Sequence, residues 1–366
     1  MSAPGRSIPP SSPASKSSPL GTALATIRDR DYLLDRAGVI FKVIGDVHPG
    51  THFLGYVKYY PDPRGDRVLF GRTYRQNSVV SKAFGILADR PECYIYSPAV
   101  GCVITGVPRE DIVTHYSCRQ TLAALHQAPG LLGGTTAVSE DLIAIINWIV
   151  AADAADVIGV TGSFLVGACN ARSDIDLVCY GRRGYEAAQA LFAERALIHP
   201  YEGETLTRLY VRRAKYMVGG SFDALMRQEA RKLQGLTAGA GAHINCEPLR
   251  ADGDKTFAGV VAKEVGAISV LARITDHSEG LVTPALYGIE VDTVTESTVD
   301  EPSVFARRIT HLRSYLGAYT GAFRTGDVVY LSGRLVHIQG PDAHSGFGIE
   351  LTPWSAAESF LANLTR

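Results

Sequence analysis

Gly162-Ser163-Phe164-Leu165-Val166-Gly167-Ala168-Cys169-Asn170-Ala171-Arg172-Ser173-Asp174-Ile175-Asp176-Leu177-Val178 joins a small Gly-Ser turn to two carboxylates set two residues apart. Such a turn lets backbone N–H groups approach a phosphate closely, and carboxylates on alternate strand positions point to one face. Ile175 and Leu177 then point to the opposite, packed face. Hard cations require oxygen ligands, so this is the layout that two-metal phosphoryl transfer needs. Upstream, Val157-Ile158-Gly159-Val160 reads as a short buried strand running into the turn. Before it, Leu142, Ile143, Ile145, Ile146, Ile149 and Val150 give one apolar helix face. Ser139 is read as the cap of that helix, with Glu140 and Asp141 at the positive end of its dipole.

The 366 residues, 46% hydrophobic, suffice for a substantial core and two or three domains. Lys+Arg 36 against Asp+Glu 37 leaves a net charge of -1, which lacks the global basic field of a protein that coats nucleic acid. Six cysteines (Cys93, Cys102, Cys118, Cys169, Cys179, Cys246) are dispersed without C-x-x-C pairs, as reduced thiols in a cytoplasm are. No stretch of about 18 uninterrupted apolar residues occurs, so no membrane span is expected, and the cytoplasm is the expected location. Residues 1–28 read as a disordered Ser/Pro-rich tail without a signal-peptide run. Residues 29–134 read as a mainly β module, 135–262 as the catalytic core and 263–366 as a β-rich module. In that last module, the run from Gly326 to Val336 alternates as strands of small barrels do, oligonucleotide-binding folds among them. Ser355 to Leu364 reads as a short amphipathic helix. The fold class expected is α+β.

Gly162-Ser163, about ten residues, then Asp174-Ile175-Asp176 between apolar neighbours resembles the DNA polymerase β-like nucleotidyltransferase superfamily. The segments from His52 to Asp62 and from Arg313 to Asp327 are similar to a little-characterised group of predicted nucleotidyltransferases common in archaea. The resemblance implies a core with a mixed sheet and helices, flanked by the two β-rich modules. It implies an NTP donor, Mg²⁺ (with Mn²⁺ as a substitute), and transfer of a nucleoside monophosphate to an acceptor hydroxyl or phosphate, with pyrophosphate released. The acceptor is a small metabolite or RNA, and the near-neutral charge leans toward the metabolite. A nucleotide- or RNA-binding protein that kept the fold and lost transfer is the alternative.

The resemblance also implies a third carboxylate on a later strand of the same sheet. In His243-Ile244-Asn245-Cys246-Glu247, Ile244 and Cys246 face the core while Asn245 and Glu247 face the site. Glu247 is the first choice for the third catalytic and metal-binding acid beside Asp174 and Asp176, with Glu290 and Asp292 next. Gly162, Ser163 and Arg172 are placed to hold the triphosphate. Arg208, Arg212 and Lys215 share one helical face, and Arg227 and Arg231 repeat the i, i+4 spacing. Lys215, Arg227 and Arg231 are candidate phosphate contacts, and a solvated face paired with Glu204 or Glu229 is the plainer reading. His48 and His52 have H-x-x-x-H spacing, but Pro49 and Gly50 oppose the helix that would align them on zinc. Lys58, Tyr59, Tyr60 and Arg64 mix basic and aromatic residues, read first as a hairpin packing on a neighbouring domain and second as a nucleic-acid platform. Gly181 to Gly184 reads as a polar turn before a helix over 186–194.

Overall fold

A computed structural model describes residues 27–132, 136–214, 222–254, 258–340, 345–354 and 360–364. It is an α+β protein with three sheets. The first contains β1 (Tyr32–Asp35), β2 (Ile40–Val43), β3 (His52–Pro61), β4 (Arg67–Leu69), β5 (Arg72–Gln76), β6 (Tyr94–Ser97), β7 (Cys102–Pro108) and β8 (Ile112–Tyr116), with the short helix α1 (Lys82–Ile86) between β5 and β6. Its main path runs β4-β5-β3-β2-β1-β8, and β7 pairs with both β3 and β6. Between β2 and β3 the register slips: Ile40 faces Tyr59 while Phe41 faces Val57, leaving Lys58 as the extra residue of a bulge. Bulges re-aim side chains. Here Tyr56 and Tyr59 both come to the face that carries Ile40 and Lys42.

Helices α2 (Cys118–Gln127) and α3 (Ala137–Ala151) follow. Thr136, not Ser139, caps α3; Ser139 is the third residue of the helix and its hydroxyl closes a capping box with Thr136. The second sheet comprises β9 (Ile158–Thr161), β10 (Ile175–Tyr180), β11 (Ile198–His199), β12 (Gln234–Thr237) and β13 (His243–Leu249), in the order β11-β12-β13-β10-β9. Four helices lie within its chain path: α4 (Gly162–Leu165), α5 (Gly181–Ala193), α6 (Gly203–Ala214) and α7 (Phe222–Glu229). Helix α5 begins at Gly181, so the expected polar turn is its first turn. Gly184 is needed there because a Cβ would stand 2.7 Å from the carbonyl oxygen of Val157. One face of this sheet carries Ile175, Leu177, Cys179, Ile244 and Cys246 into a core with α2, α3 and α5. The other face carries Val178, Tyr180 and Leu249 against Tyr32, Ile40 and Tyr59 of the first sheet.

The third sheet comprises β14 (Val261–Asp276), β15 (Ala285–Ser297), β16 (Ile309–Ser314), β17 (Val328–Gln339), β18 (Gly346–Leu351) and β19 (Phe360–Asn363), with α8 (Pro302–Ala306) before β16. The path β14-β15-β16-β18-β17 closes through a β14–β17 ladder, and β16 and β18 run parallel. These five strands thereby close into a small barrel, to which β19 adds on β17. The helix expected over Ser355 to Leu364 is replaced where described: Phe360–Asn363 is a strand on β17. The tail expected over residues 1–28 lies outside the described residues except at its end, where Ile27 is buried and Arg28 pairs with Asp46 at 2.8 Å.

His48 accepts at Nδ1 from the Leu54 N–H, and His52 Nε2 meets the Glu92 carbonyl oxygen. Burial lowers the His48 pKa to about 4. The imidazole therefore stays neutral in the folded chain but takes a proton in the unfolded chain below about 6.5. Stability that is present above pH 6.5 is lost as pH falls toward 4, on the order of 1–2 kcal/mol for this partly covered ring. His48→Gln should flatten the dependence between pH 7 and 4.5 by that amount in urea unfolding; equal slopes in both proteins would refute the assignment.

Candidate active site

Gly162 and Ser163 open α4 at the end of β9, and Asp174 stands immediately before β10. Gly162 has φ +71, a left-handed conformation, and a Cβ there would collide with the Asp176 carboxylate. The turn therefore lies directly on the carboxylate strand. Asp176 pairs in register with Thr161 on one side and Asn245 on the other. Asn245 Nδ2 donates to Asp176 Oδ1 at 2.6 Å. Gly162→Ala should cost about 1–3 kcal/mol from backbone strain and the collision; a variant unfolding at the parental denaturant midpoint would contradict that placement.

Burial raises the pKa of Asp176, opposed by Lys42, the Asn245 amide and Lys58. Asp174 is exposed. Glu247 lies on the same face of β13 as Asn245, opposite Val178 of β10. Its carboxylate is claimed by protein cations: Arg30 pairs with it through Nε, and Lys42 Nζ stands 3.8 Å away. Burial would raise its pKa, but Arg30 and Lys42 prevail and hold it at about 2. A carboxylate that acidic is a weak proton acceptor at neutral pH.

These residues sort the metal question. Asp174 and Asp176 suit one Mg²⁺, which keeps several waters and takes one or two carboxylates together with substrate phosphates. Glu247 does not fit as a third ligand, because two cations already compensate its charge. Among the described residues no three His, Cys, Asp or Glu side chains are grouped as a ligand set. Glu290 and Asp292 are corrected outright: both lie exposed on β15 of the barrel, in a different sheet.

The other expected contacts scatter. Ser163 is half-buried beside Gly162, and Arg172 is exposed in the loop before Asp174. Arg208 pairs with Glu204 at 2.8 Å on the exposed face of α6. Lys215 lies outside the described residues. Arg227 is exposed in the last turn of α7. Helix α7 stops at Glu229, so Arg231 leaves the helical spacing and pairs with Asp327 at 3.0 Å. Cations that the spacing argument passed over come instead from the first module: Arg30, Lys42 and Lys58. Arg30 lay in an ordinary charge run, and the one signal for Lys42 was a lone cation alternating with apolar residues on a short strand. Tyr59 is fully buried against the carboxylate sheet, as the packing reading of Lys58 to Arg64 expects.

A cleft of about 380 Å³ opens beside this cluster where the three sheets meet. Arg30, Lys42 and Tyr56 come from the first module, Asn245 and Glu247 from β13, and Tyr315 and Trp354 from the barrel end. Asp174 and Asp176 do not line it; the Asn245–Asp176 hydrogen bond is the link between cleft and carboxylates. The chain matches no known family model, no curated protein and no solved structure.

Proposed function

We propose that the protein is a nucleotidyltransferase that moves a nucleoside monophosphate from an NTP to an acceptor hydroxyl or phosphate. The observation that carries this reading is the contact of the Gly162 turn with the Asp176 carboxylate, beside the exposed Asp174. In it, Asp174 and Asp176 hold Mg²⁺, which neutralises charge on the triphosphate. The Gly162-Ser163 turn offers N–H groups to phosphate oxygens. Lys58, which makes no ion pair among the described residues, and Lys42 supply fixed positive charge near Asp176. Asn245 fixes the orientation of Asp176 through its amide. Glu247, ionised throughout the working pH range, orients Arg30 and Lys42 and does not accept the acceptor's proton. Positioning and charge neutralisation account for most of the rate enhancement in this scheme.

The second reading, nucleotide binding without transfer, is favoured by one feature: Asn245 occupies the register position facing Asp176, where a third acid would share its metal. Pyrophosphate release measured for each of the four NTPs with Mg²⁺ separates the two. Release with at least one NTP supports transfer. Mg²⁺-dependent NTP binding with no release supports the binding protein, and no binding of any NTP overturns both.

A further inference from the structure

The cleft has two unlike walls. One is aromatic: Tyr56, Tyr315 and Trp354 line it, and the rings of Tyr315 and Trp354 meet edge to face with centroids 5.5 Å apart. Trp354 is only 9% exposed, and its indole N–H is buried with no acceptor among the described residues. An unpaired buried donor costs about 1–3 kcal/mol, which an acceptor atom on a ligand would relieve. The other wall carries charge that is already balanced. Arg231 pairs with Asp327 at 3.0 Å, Lys232 with Glu229 at 2.8 Å and Arg30 with Asp29 at 3.0 Å. Arg30 and Lys42 also share Glu247. Among the described residues these four are the lysines and arginines of the lining, so each cation facing the cleft already answers a carboxylate.

A pocket of this volume, part aromatic and part polar, has the dimensions of a small-molecule site. We propose that the cleft is the acceptor site and that the acceptor is a small, uncharged, flat heterocycle bearing a hydroxyl group. The ring packs against Tyr315 and Trp354, and a ring nitrogen or oxygen accepts from the Trp354 indole. The hydroxyl lies at the Asn245 end, one hydrogen bond from Asp176. An anionic acceptor is disfavoured because it would compete with Glu247 for Arg30 and Lys42. The assignment rests on the nucleotidyl-transfer reading of the carboxylates. In that reaction the hydroxyl oxygen bonds to the α-phosphorus, the bond from that phosphorus to the bridging oxygen of the β-phosphate breaks, pyrophosphate leaves, and the hydroxyl proton passes to solvent.

Isothermal titration of the full chain with adenosine, pyridoxine and glucose, with and without Mg²⁺ and α,β-methylene-ATP, tests it. At least one flat heterocycle is expected to bind tenfold or more tightly than glucose, and to do so alongside saturating methylene-ATP. Trp354→Leu should weaken that binding tenfold or more, and Trp354→Phe, which keeps a ring but not the N–H, should fall between. In a Trp148→Phe background the same titration should quench the emission of Trp354. Binding of neither heterocycle, equal binding of glucose, or an unchanged affinity in Trp354→Leu overturns the proposal. So does displacement of adenosine by methylene-ATP, which assigns the cleft to the donor, or tighter binding of hexa-adenylate than of adenosine, which assigns it to RNA. Methylene-ATP titrated alone keeps the two readings apart. If it binds with Mg²⁺ while the heterocycles do not, the acceptor assignment fails and the carboxylate reading stands; if it does not bind, the carboxylate reading fails and takes the acceptor role with it.

Discussion

Glu350→Ala is expected to lower the unfolding free energy by about 3–5 kcal/mol. Glu350 sits on β18 between Arg313 of β16 and Arg334 of β17, and all three side chains are at most 1% exposed. Arg313 Nε donates to Glu350 at 2.8 Å, and Arg334 Nη1 lies 3.1 Å from its other oxygen. The same guanidinium groups reach out of the barrel: Arg313 Nη2 donates to the Ala99 carbonyl at 2.7 Å, and Arg334 to those of Val100 and Gly101 at 3.2 and 3.1 Å. Burial raises the pKa of Glu350, and only the two arginines oppose it. Removing the carboxylate leaves two desolvated cations without their shared counter-charge, the costly way to break a buried ion cluster. Glu350→Gln keeps hydrogen-bonding capacity and should lose less. Urea unfolding of the three proteins checks the order, and a loss under 1 kcal/mol for Glu350→Ala would show that the cluster is not what holds the barrel.

Asp176→Asn is expected to reduce pyrophosphate release by at least about a hundredfold, since withdrawing a metal-holding charge removes several kcal/mol of transition-state stabilisation. The fold should not suffer. Burial raises the Asp176 pKa, so the folded state disfavours its charge; the cost appears as pH rises through the unfolded value and persists at neutrality. An asparagine removes that cost and still accepts from Asn245 Nδ2. The variant should therefore melt at or above the parental temperature while losing turnover. A variant that loses activity and stability together would mean that Asp176 holds the sheet and not the substrate.

The part of this site that is local in sequence was readable there. Asp176 points away from the core face of Leu177 and Cys179 because strands repeat every two residues, and Gly162 abuts Asp176 because β9 and β10 are neighbours joined by a short excursion. The period-2 runs of the last hundred residues likewise read as strands, and β15 to β18 are strands there. What local pattern could not carry is whatever long-range pairing decides. Arg30 reaches Glu247 across 217 positions, and nothing in a run of alternating charges at residues 28–31 marks the one that will turn inward. Arg227 and Arg231 share a helical spacing, yet the helix ends between them because tertiary contacts, Arg231 with Asp327 among them, override propensity. Tyr59 needed the bulge to be known, since a regular β2–β3 register would put Tyr56 and Lys58 on one face and Tyr59 on the other.

The meeting of three modules at one cleft also governs when that cleft can form. Arg30 bonds to Glu247 and to Thr283 Oγ1, and Trp354 completes the aromatic wall. No shorter span of the chain contains all of these groups. During synthesis the first sheet can form early, but the cleft has no closed wall until the barrel has emerged and docked on residues 99–101. Closing loops of this length is slow compared with local helix or hairpin formation. Formation of the cleft is thus a late event in folding, complete only in chains whose two ends have already met.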